Sequence, residues 1–192
     1  MTYLIIGLLL FLGVHSVRIV ADDQRTRWRQ RWGVNAYKGL YVAISLVGFV
    51  LIVWGFGLAR EAPTMLWSPP RGMRHLAALL TLIAFILLAA SYVPRNHIKA
   101  RLHHPMVLSV KVWASAHLLS NGNVAHVVLF GSFLLWSVVC YSASRRRDRA
   151  QSITYPAGTA GATAITVVVG VVAWSAFAMV LHGLLMGIRP LS

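Results

Sequence analysis

The side chains best suited to chemistry in this sequence are histidines, and two of them stand on either side of a short polar turn. His117 precedes the sequence SNGN by about one turn of helix, and His126 follows it by about one turn. A connection this short makes the flanking helices antiparallel neighbours, which puts both imidazoles at a similar depth. Such a pair can hold a haem iron or another metal between facing helices. The alternative is that each ring hydrogen-bonds a carbonyl near its own helix end.

Lys111 is the second unusual group, because it lies in an apolar run without an acidic partner. The four acidic residues of the chain all fall in loops or at the ends of apolar runs: Asp22, Asp23, Glu61 and Asp148. The ammonium can extend to the membrane surface, since Pro105 is only about 9 Å away at helical rise. It can instead pair with an anionic group of a bound ligand, or lose its proton.

Motifs of soluble enzymes are absent from the sequence. It contains no GxSxG, HExxH, CxxC, Walker or GxGxxG pattern. No Asp or Glu lies inside an apolar run, which excludes hydrolysis by a pair of membrane-embedded carboxylates. Any chemistry in this chain therefore falls to histidine or to a cofactor.

The elements that position these groups are predicted to be membrane helices. The chain is 58% hydrophobic and only 11% charged, whereas soluble domains carry about 25% charged residues. We therefore expect an all-α polytopic membrane protein, a bundle of about six transmembrane helices forming one domain over residues 1–192, with the lipid bilayer as its surroundings. The net charge of +14 lies in loops beside apolar runs, where it indicates membrane topology rather than nucleic-acid binding. No particular oligomeric state is predicted.

Hydropathy predicts six spans, separated by turns and basic loops: Tyr3–Val20, Gly39–Leu58, His75–Tyr92, Pro105–Leu119, Val124–Tyr141 and Thr163–Leu185. The fourth is short, about 24 Å at 1.5 Å per residue, and needs a thin membrane or a cover of protein. The segment ADDQRTRWRQRWG is predicted to be an interfacial loop or a short amphipathic helix. Its Trp28 and Trp32 are four residues apart and can enter the headgroup region together.

The distribution of Lys and Arg predicts the orientation of the bundle. The first, third and fifth connections hold thirteen of these residues, against four in the second and fourth connections and the C-terminal segment. Basic loops remain in the cytoplasm, so both termini are expected outside. The alternation from one connection to the next also supports an even number of spans.

Three sequence elements together resemble a known family. They are GVHSVR in the first span, HHPM at the start of the fourth, and WASAHLLSNGN at its end. This combination, over about residues 5–148, is similar to the NnrU family, which resembles the zeta-carotene isomerases. The resemblance implies a bacterial inner-membrane protein associated with nitrogen-oxide metabolism, that is, with denitrification. In the isomerase branch it implies a bound haem b acting on a cis double bond of a carotene.

The resemblance and the positions of the residues together give a set of candidate site residues. His117 is the best candidate for an axial ligand of haem iron, with His126 as the candidate second ligand. Ala114 stands where the isomerases have a ligating cysteine, so a thiolate cannot be supplied there. Lys111 is a candidate partner for a haem propionate. The candidates for residues that line the site are His15, His104 and Trp113.

Three functions remain open on this basis. The first is an NnrU-type accessory or sensor protein in which a haem reports nitric oxide or redox state. The second is a haem-dependent cis–trans isomerase of a carotene or another polyene lipid. The third is a membrane methyltransferase, suggested by the HPM element. That enzyme class has Arg before the HP and Tyr after it, where this chain has His103 and no Tyr.

Overall fold

The computed structural model describes residues 1–190, and this part of the chain consists of helices joined by turns and loops, with no strand. The principal helices are α1 (Thr2–Val20), α3 (Val34–Glu61), α4 (Met73–Tyr92), α6 (Pro105–Ser120), α7 (Val124–Ala150) and α8 (Ala160–Ala176). A π-helical turn, Phe177–Leu181, continues α8 into α9 (His182–Met186). The two connecting helices are α2 (Asp22–Trp32) and α5 (His97–Leu102). The all-α prediction is confirmed; residues 191 and 192 of the predicted domain lie outside the described part.

Five of these helices are long and apolar enough to cross a membrane, counting α8 to α9 as one. The sixth, α6, has only 16 residues. It nevertheless connects the two ends of the bundle. The loop before it contacts α7 through His104 and Asp148, and the turn after it contacts the α3–α4 loop through Gly122 and Leu66. Because α6 packs against both α4 and α7, protein covers the short helix, which was one of the two predicted solutions.

One end of the bundle, which we call the basic face, gathers the arginine-rich connections. The guanidinium of Arg147, near the end of α7, donates a hydrogen bond of 3.3 Å to the carbonyl of Arg18 at the end of α1. The backbone N–H of Thr159, before α8, donates to the carbonyl of Arg95 in the α4–α5 connection at 2.8 Å. These contacts bring together the first, third and fifth connections, as the six-span prediction requires.

The other end, the opposite face, gathers the remaining connections. The Arg60 guanidinium at the end of α3 donates to the carbonyl of Met186 at 3.4 Å. The backbone N–H groups of Leu66 and Trp67 both donate to the carbonyl of Gly122, at 2.7 and 3.1 Å. A Cβ on Gly122 would overlap the Trp67 carbonyl, so this turn requires glycine. The SNGN turn is therefore fixed by the α3–α4 loop.

Small residues bring the helices close together within the bundle. A Cβ on Gly7 of α1 would lie 2.6 Å from the backbone nitrogen of Ile52 on α3. A Cβ on Gly170 of α8 would lie equally close, at 2.6 Å, to the Cα of Ile86 on α4. Between membrane helices such close backbone contacts supply packing energy that water exclusion cannot provide. Most of the large apolar side chains at the perimeter are exposed, as suits a protein surrounded by lipid.

The structure extends helices into two segments that were predicted as basic loops. The helix α7 continues past Tyr141 through the run SRRRDRA to Ala150, because arginine and alanine are good helix formers when water solvates the charges. The helix α5 forms inside the loop after α4, capped by buried Asn96, whose Oδ1 accepts the backbone N–H of Lys99 at 2.7 Å. The segment with Trp28 and Trp32 is the predicted short helix, and the two rings stack with centroids 5.8 Å apart.

Candidate functional site

His117 is held in a single tautomer by the last turns of α6. Its Nδ1 donates a hydrogen bond of 2.9 Å to the carbonyl oxygen of Trp113, four residues earlier. A carbonyl only accepts, so the proton lies on Nδ1 and the lone pair on Nε2. No hydrogen bond from another residue of the described chain reaches Nε2. An imidazole fixed at Nδ1 with Nε2 left over is the usual arrangement of a metal-binding histidine.

His126 is held in the same way in the first turn of α7. The side-chain oxygen of Asn123 caps this helix by accepting the backbone N–H of His126 at 3.0 Å. The same oxygen accepts the Nδ1–H of His126 at 2.6 Å. Because the cap fixes the orientation of the amide, the imidazole must again carry its proton on Nδ1. Its Nε2 has no protein partner among the described residues.

Phe130 of α7 brings the two imidazoles together. Its ring is 5% exposed and stacks on His117, with centroids 4.4 Å apart and an interplanar angle of 24°. Its centroid is 5.8 Å from that of His126, and the two imidazoles are close enough to interact electrostatically. Trp113 completes the group, 5.2 Å from His117 and 4.9 Å from Phe130. The structure thus brings together the two histidines and Trp113.

Two further residues, Phe56 and Arg60 of α3, join this group although the sequence did not single them out. Phe56 meets His126 edge to face at 5.1 Å, and the guanidinium carbon of Arg60 lies 5.2 Å from the centroid of Phe56. The sequence assigned Arg60 to the end of a span and to the outer loop. The sequence feature that indicates this contact is the spacing of four residues between Phe56 and Arg60 on one helix. We call the whole group the imidazole-pair site: His117, His126, Trp113, Phe130, Phe56 and Arg60.

The other predicted site residues lie elsewhere. Lys111 is half-buried, and no hydrogen bond or ion pair of its ammonium occurs within residues 1–190. It stands six residues before His117 on α6, which places it about 120° around the helix at 3.6 residues per turn. His15 lies on α1 near the basic face, where its Nδ1 donates to the carbonyl of Phe11 at 2.6 Å. Their assignment as ligand-binding or site-lining residues stays a prediction.

His104 belongs to a second cluster, on the basic face, which we call the Asp148 cluster. Its members are Asp148, His103, His104, Arg145 and Tyr155. One carboxylate oxygen, Oδ2 of Asp148, accepts the Nε2–H of His104 at 2.9 Å and the hydroxyl of Tyr155 at 3.0 Å. The Nδ1 of His103 and the guanidinium of Arg145 each lie 3.7 Å from that oxygen. The carboxylate thereby ties together α7, the loop before α6 and the loop before α8.

Burial and neighbouring charges shift the pKa values of two members of this cluster. Burial, reinforced by the hydrogen bond to the Asp148 carboxylate, raises the pKa of Tyr155 to about 12. Burial and the charge of Arg145 lower the pKa of His103 below its ordinary value. His103 also has a left-handed backbone, with φ 70°. Within residues 1–190 no group of three or more His, Cys, Asp or Glu side chains has the arrangement of a metal site.

Comparison with known proteins now identifies the family. The family model described as NnrU protein matches residues 3–190. The chain belongs to the NnrU family. The match extends beyond residues 5–148, on which the sequence resemblance rested, and includes the helix from α8 to α9. No curated protein and no solved structure matches the chain significantly.

The donor set of the imidazole-pair site fits a haem. Two imidazoles keep an Nε2 that has no partner among the described residues, aromatic rings line the site, and a guanidinium lies beside them for an anionic group. The site offers no thiolate at the position of Ala114. Ala114 is completely buried within the hydrophobic core with Leu4, Leu8 and Ile52, and its methyl group coordinates nothing. The candidate iron ligands at this site are therefore the two imidazoles rather than a cysteine.

Proposed function

We propose that this NnrU-family membrane protein binds haem b at the imidazole-pair site and acts in nitrogen-oxide metabolism. His117 is the proposed axial ligand and His126 the candidate for the second position. The observation that carries the proposal is the Nδ1–H hydrogen bond of each imidazole in a neighbouring pair, from His117 to the Trp113 carbonyl and from His126 to Asn123. It fixes the tautomer that presents Nε2 for coordination. A haem held there would supply a redox-active iron that binds small diatomic ligands.

The proposed setting is the bacterial inner membrane, with both termini outside and the basic face in the cytoplasm. The contacts that gather the arginine-rich connections at one end support this orientation, because such connections remain on the cytoplasmic side. The imidazole-pair site then lies near the outer surface of the membrane. A ligand that arrives from outside the cell, or from within the outer leaflet, would reach it without crossing the bilayer.

The absorption spectrum of the protein purified from haem-replete cells tests the haem proposal. We expect a Soret band in the wild type and its loss, or a decrease of about tenfold in haem affinity, in His117→Ala. His75→Ala is the matched control, because His75 is an exposed histidine of α4 at the same face. A band that persists unchanged in His117→Ala would remove His117 as a ligand. A wild type without a Soret band would refute the proposal that the protein binds haem.

A second candidate function is haem-dependent cis–trans isomerisation of a polyene lipid. The aromatic surroundings of His117 favour it, since the half-buried ring of Trp113 beside the imidazole offers an apolar surface for a conjugated chain. Expression in cells that accumulate a cis-carotene distinguishes the two candidates. An altered carotene profile would favour the isomerase. An unchanged profile with folded, haem-loaded protein would leave the accessory or sensor role.

A further inference from the structure

Arg60 has a donor that the described part of the chain leaves unused. Its Nε is buried and has no hydrogen-bond partner among residues 1–190. The only bond of its guanidinium to the described chain is the long one, 3.4 Å, from Nη1 to the carbonyl of Met186. The ion pairs of the described chain involve the carboxylates of Asp22 and Asp148, and none reaches Arg60. An arginine stays charged in proteins, so a buried N–H without an acceptor costs free energy in the absence of a ligand.

The unused donor belongs to the imidazole-pair site. The Arg60 guanidinium lies over the ring of Phe56, which contacts His126 edge to face. It is also close enough to His126 to interact with it electrostatically. Because His126 gives its Nδ1–H to Asn123, the neutral imidazole has no further proton to donate. The hydrogen-bond donors at this edge of the site are therefore those of Arg60.

We propose that Arg60 is the anion-binding residue of this site and takes a carboxylate group of the ligand. The edge of a guanidinium that contains Nε carries two parallel N–H groups, which match the two oxygens of a carboxylate. That edge includes the unpartnered donor, whereas the carbonyl of Met186 accepts from Nη1. The carboxylate belongs either to a propionate of a bound haem or to a free small molecule. Only the first of these two sources rests on the proposed function.

The experiment uses full-length protein in detergent, with three substitutions. Arg60→Gln removes the charge and the paired N–H groups, and Arg60→Lys keeps the charge but loses the pair. Arg74→Gln is the control, because Arg74 is an exposed arginine at the start of α4 on the same face. Haem-free protein is titrated with haem b and with haem dimethyl ester, and separately with ¹³C-formate followed by NMR line broadening. Thermal unfolding of each variant establishes that it is folded.

A propionate source predicts that Arg60→Gln binds haem b about tenfold more weakly than the wild type and that Arg60→Lys is intermediate. The wild type and Arg60→Gln would then bind the dimethyl ester equally. A free-carboxylate source predicts that Arg60→Gln loses formate binding while haem affinity is unchanged. The proposal is overturned if folded Arg60→Gln matches Arg74→Gln with haem b and with formate, or if the wild type binds neither.

The haem titrations and the formate titration distinguish failure of this proposal from failure of the proposed function. A wild type that binds formate through Arg60 but gives no Soret band would refute the haem and retain the anion site. A wild type whose Soret band depends on His117, with no effect of Arg60 in either titration, would retain the haem and refute the anion site.

Discussion

The imidazole-pair site and the Asp148 cluster lie at opposite ends of α6, and each contains two histidines in different circumstances. In the imidazole-pair site, His117 and His126 each give Nδ1–H to a nearby oxygen acceptor and keep Nε2 without a partner in the described chain. In the Asp148 cluster, His104 uses its Nε2 to bind a carboxylate from another helix. The first arrangement leaves Nε2 able to coordinate a ligand. In the second, Nε2 is occupied by the hydrogen bond to Asp148, which holds two segments together.

We infer from this difference that the hydrogen-bond partners of a histidine are a better guide to its role than its depth in the membrane. The Asp148 carboxylate, 13% exposed, connects three segments at the basic face. Around His117 the contacts are aromatic, and within residues 1–190 its Nε2 has no hydrogen-bond partner. We therefore expect substitutions at the basic face to reduce stability without changing ligand binding. Substitutions of the residues proposed to hold the ligand at the other end should reduce ligand binding without reducing stability.

The largest effect is expected for Phe130→Ala, which tests whether aromatic packing positions the imidazole pair. Removing this buried ring leaves a cavity beside both histidines and should lower the free energy of unfolding by about 3 kcal/mol. The measurement is denaturation in detergent together with haem content. Leu135→Ala on the same helix is the control, because Leu135 is 68% exposed and should change stability by about 0.5 kcal/mol or less. Equal effects of the two substitutions would refute the packing role.

Asp148→Asn should have the next largest effect and tests the structural role of the basic-face cluster. It removes the charged acceptor shared by His104 and Tyr155 and should cost about 2 kcal/mol of stability. Haem content relative to folded protein should not change. Asp22→Asn is the control, since the Asp22 side chain is 40% exposed and, among the described residues, pairs only with Arg25; its expected cost is about 0.5 kcal/mol. A loss of ligand binding in Asp148→Asn at unchanged stability would contradict the comparison.

The smallest expected effect is on the titration of Tyr155. Its pKa is raised to about 12 from the ordinary 10.0, so the folded state retains the phenolic proton longer than the unfolded state does. The stabilisation is full below about pH 10 and is lost as the pH rises from 10 to 12. The phenolate absorbance of the wild type minus that of Tyr155→Phe isolates this titration. In Asp148→Asn the pKa should fall but stay above 10, because burial remains; an unchanged pKa would exclude the carboxylate as a cause.

Several features of the fold could be predicted because they depend on local patterns. Apolar runs predicted the principal helices, and the SNGN turn predicted that His117 and His126 would be neighbours. The helical end of α7 could not be predicted from hydropathy, since the run SRRRDRA is charged and looks like a loop. It is helical as far as Ala150, and Asp148 within it is fixed by His104, 44 residues away in sequence.

The sequence by itself determined the class of the molecule and the pairing of α6 with α7. Composition requires a membrane-embedded bundle, and a turn of a few residues between two apolar spans favours antiparallel contact. Only the tertiary structure decided which other groups share the site with His126. Phe56 and Arg60 come from α3, and they reach His126 because of the rotation of α3 about its own axis and its packing in the bundle. That rotation depends on contacts such as Gly7 against Ile52, between residues far apart in the chain, which local periodicity does not specify.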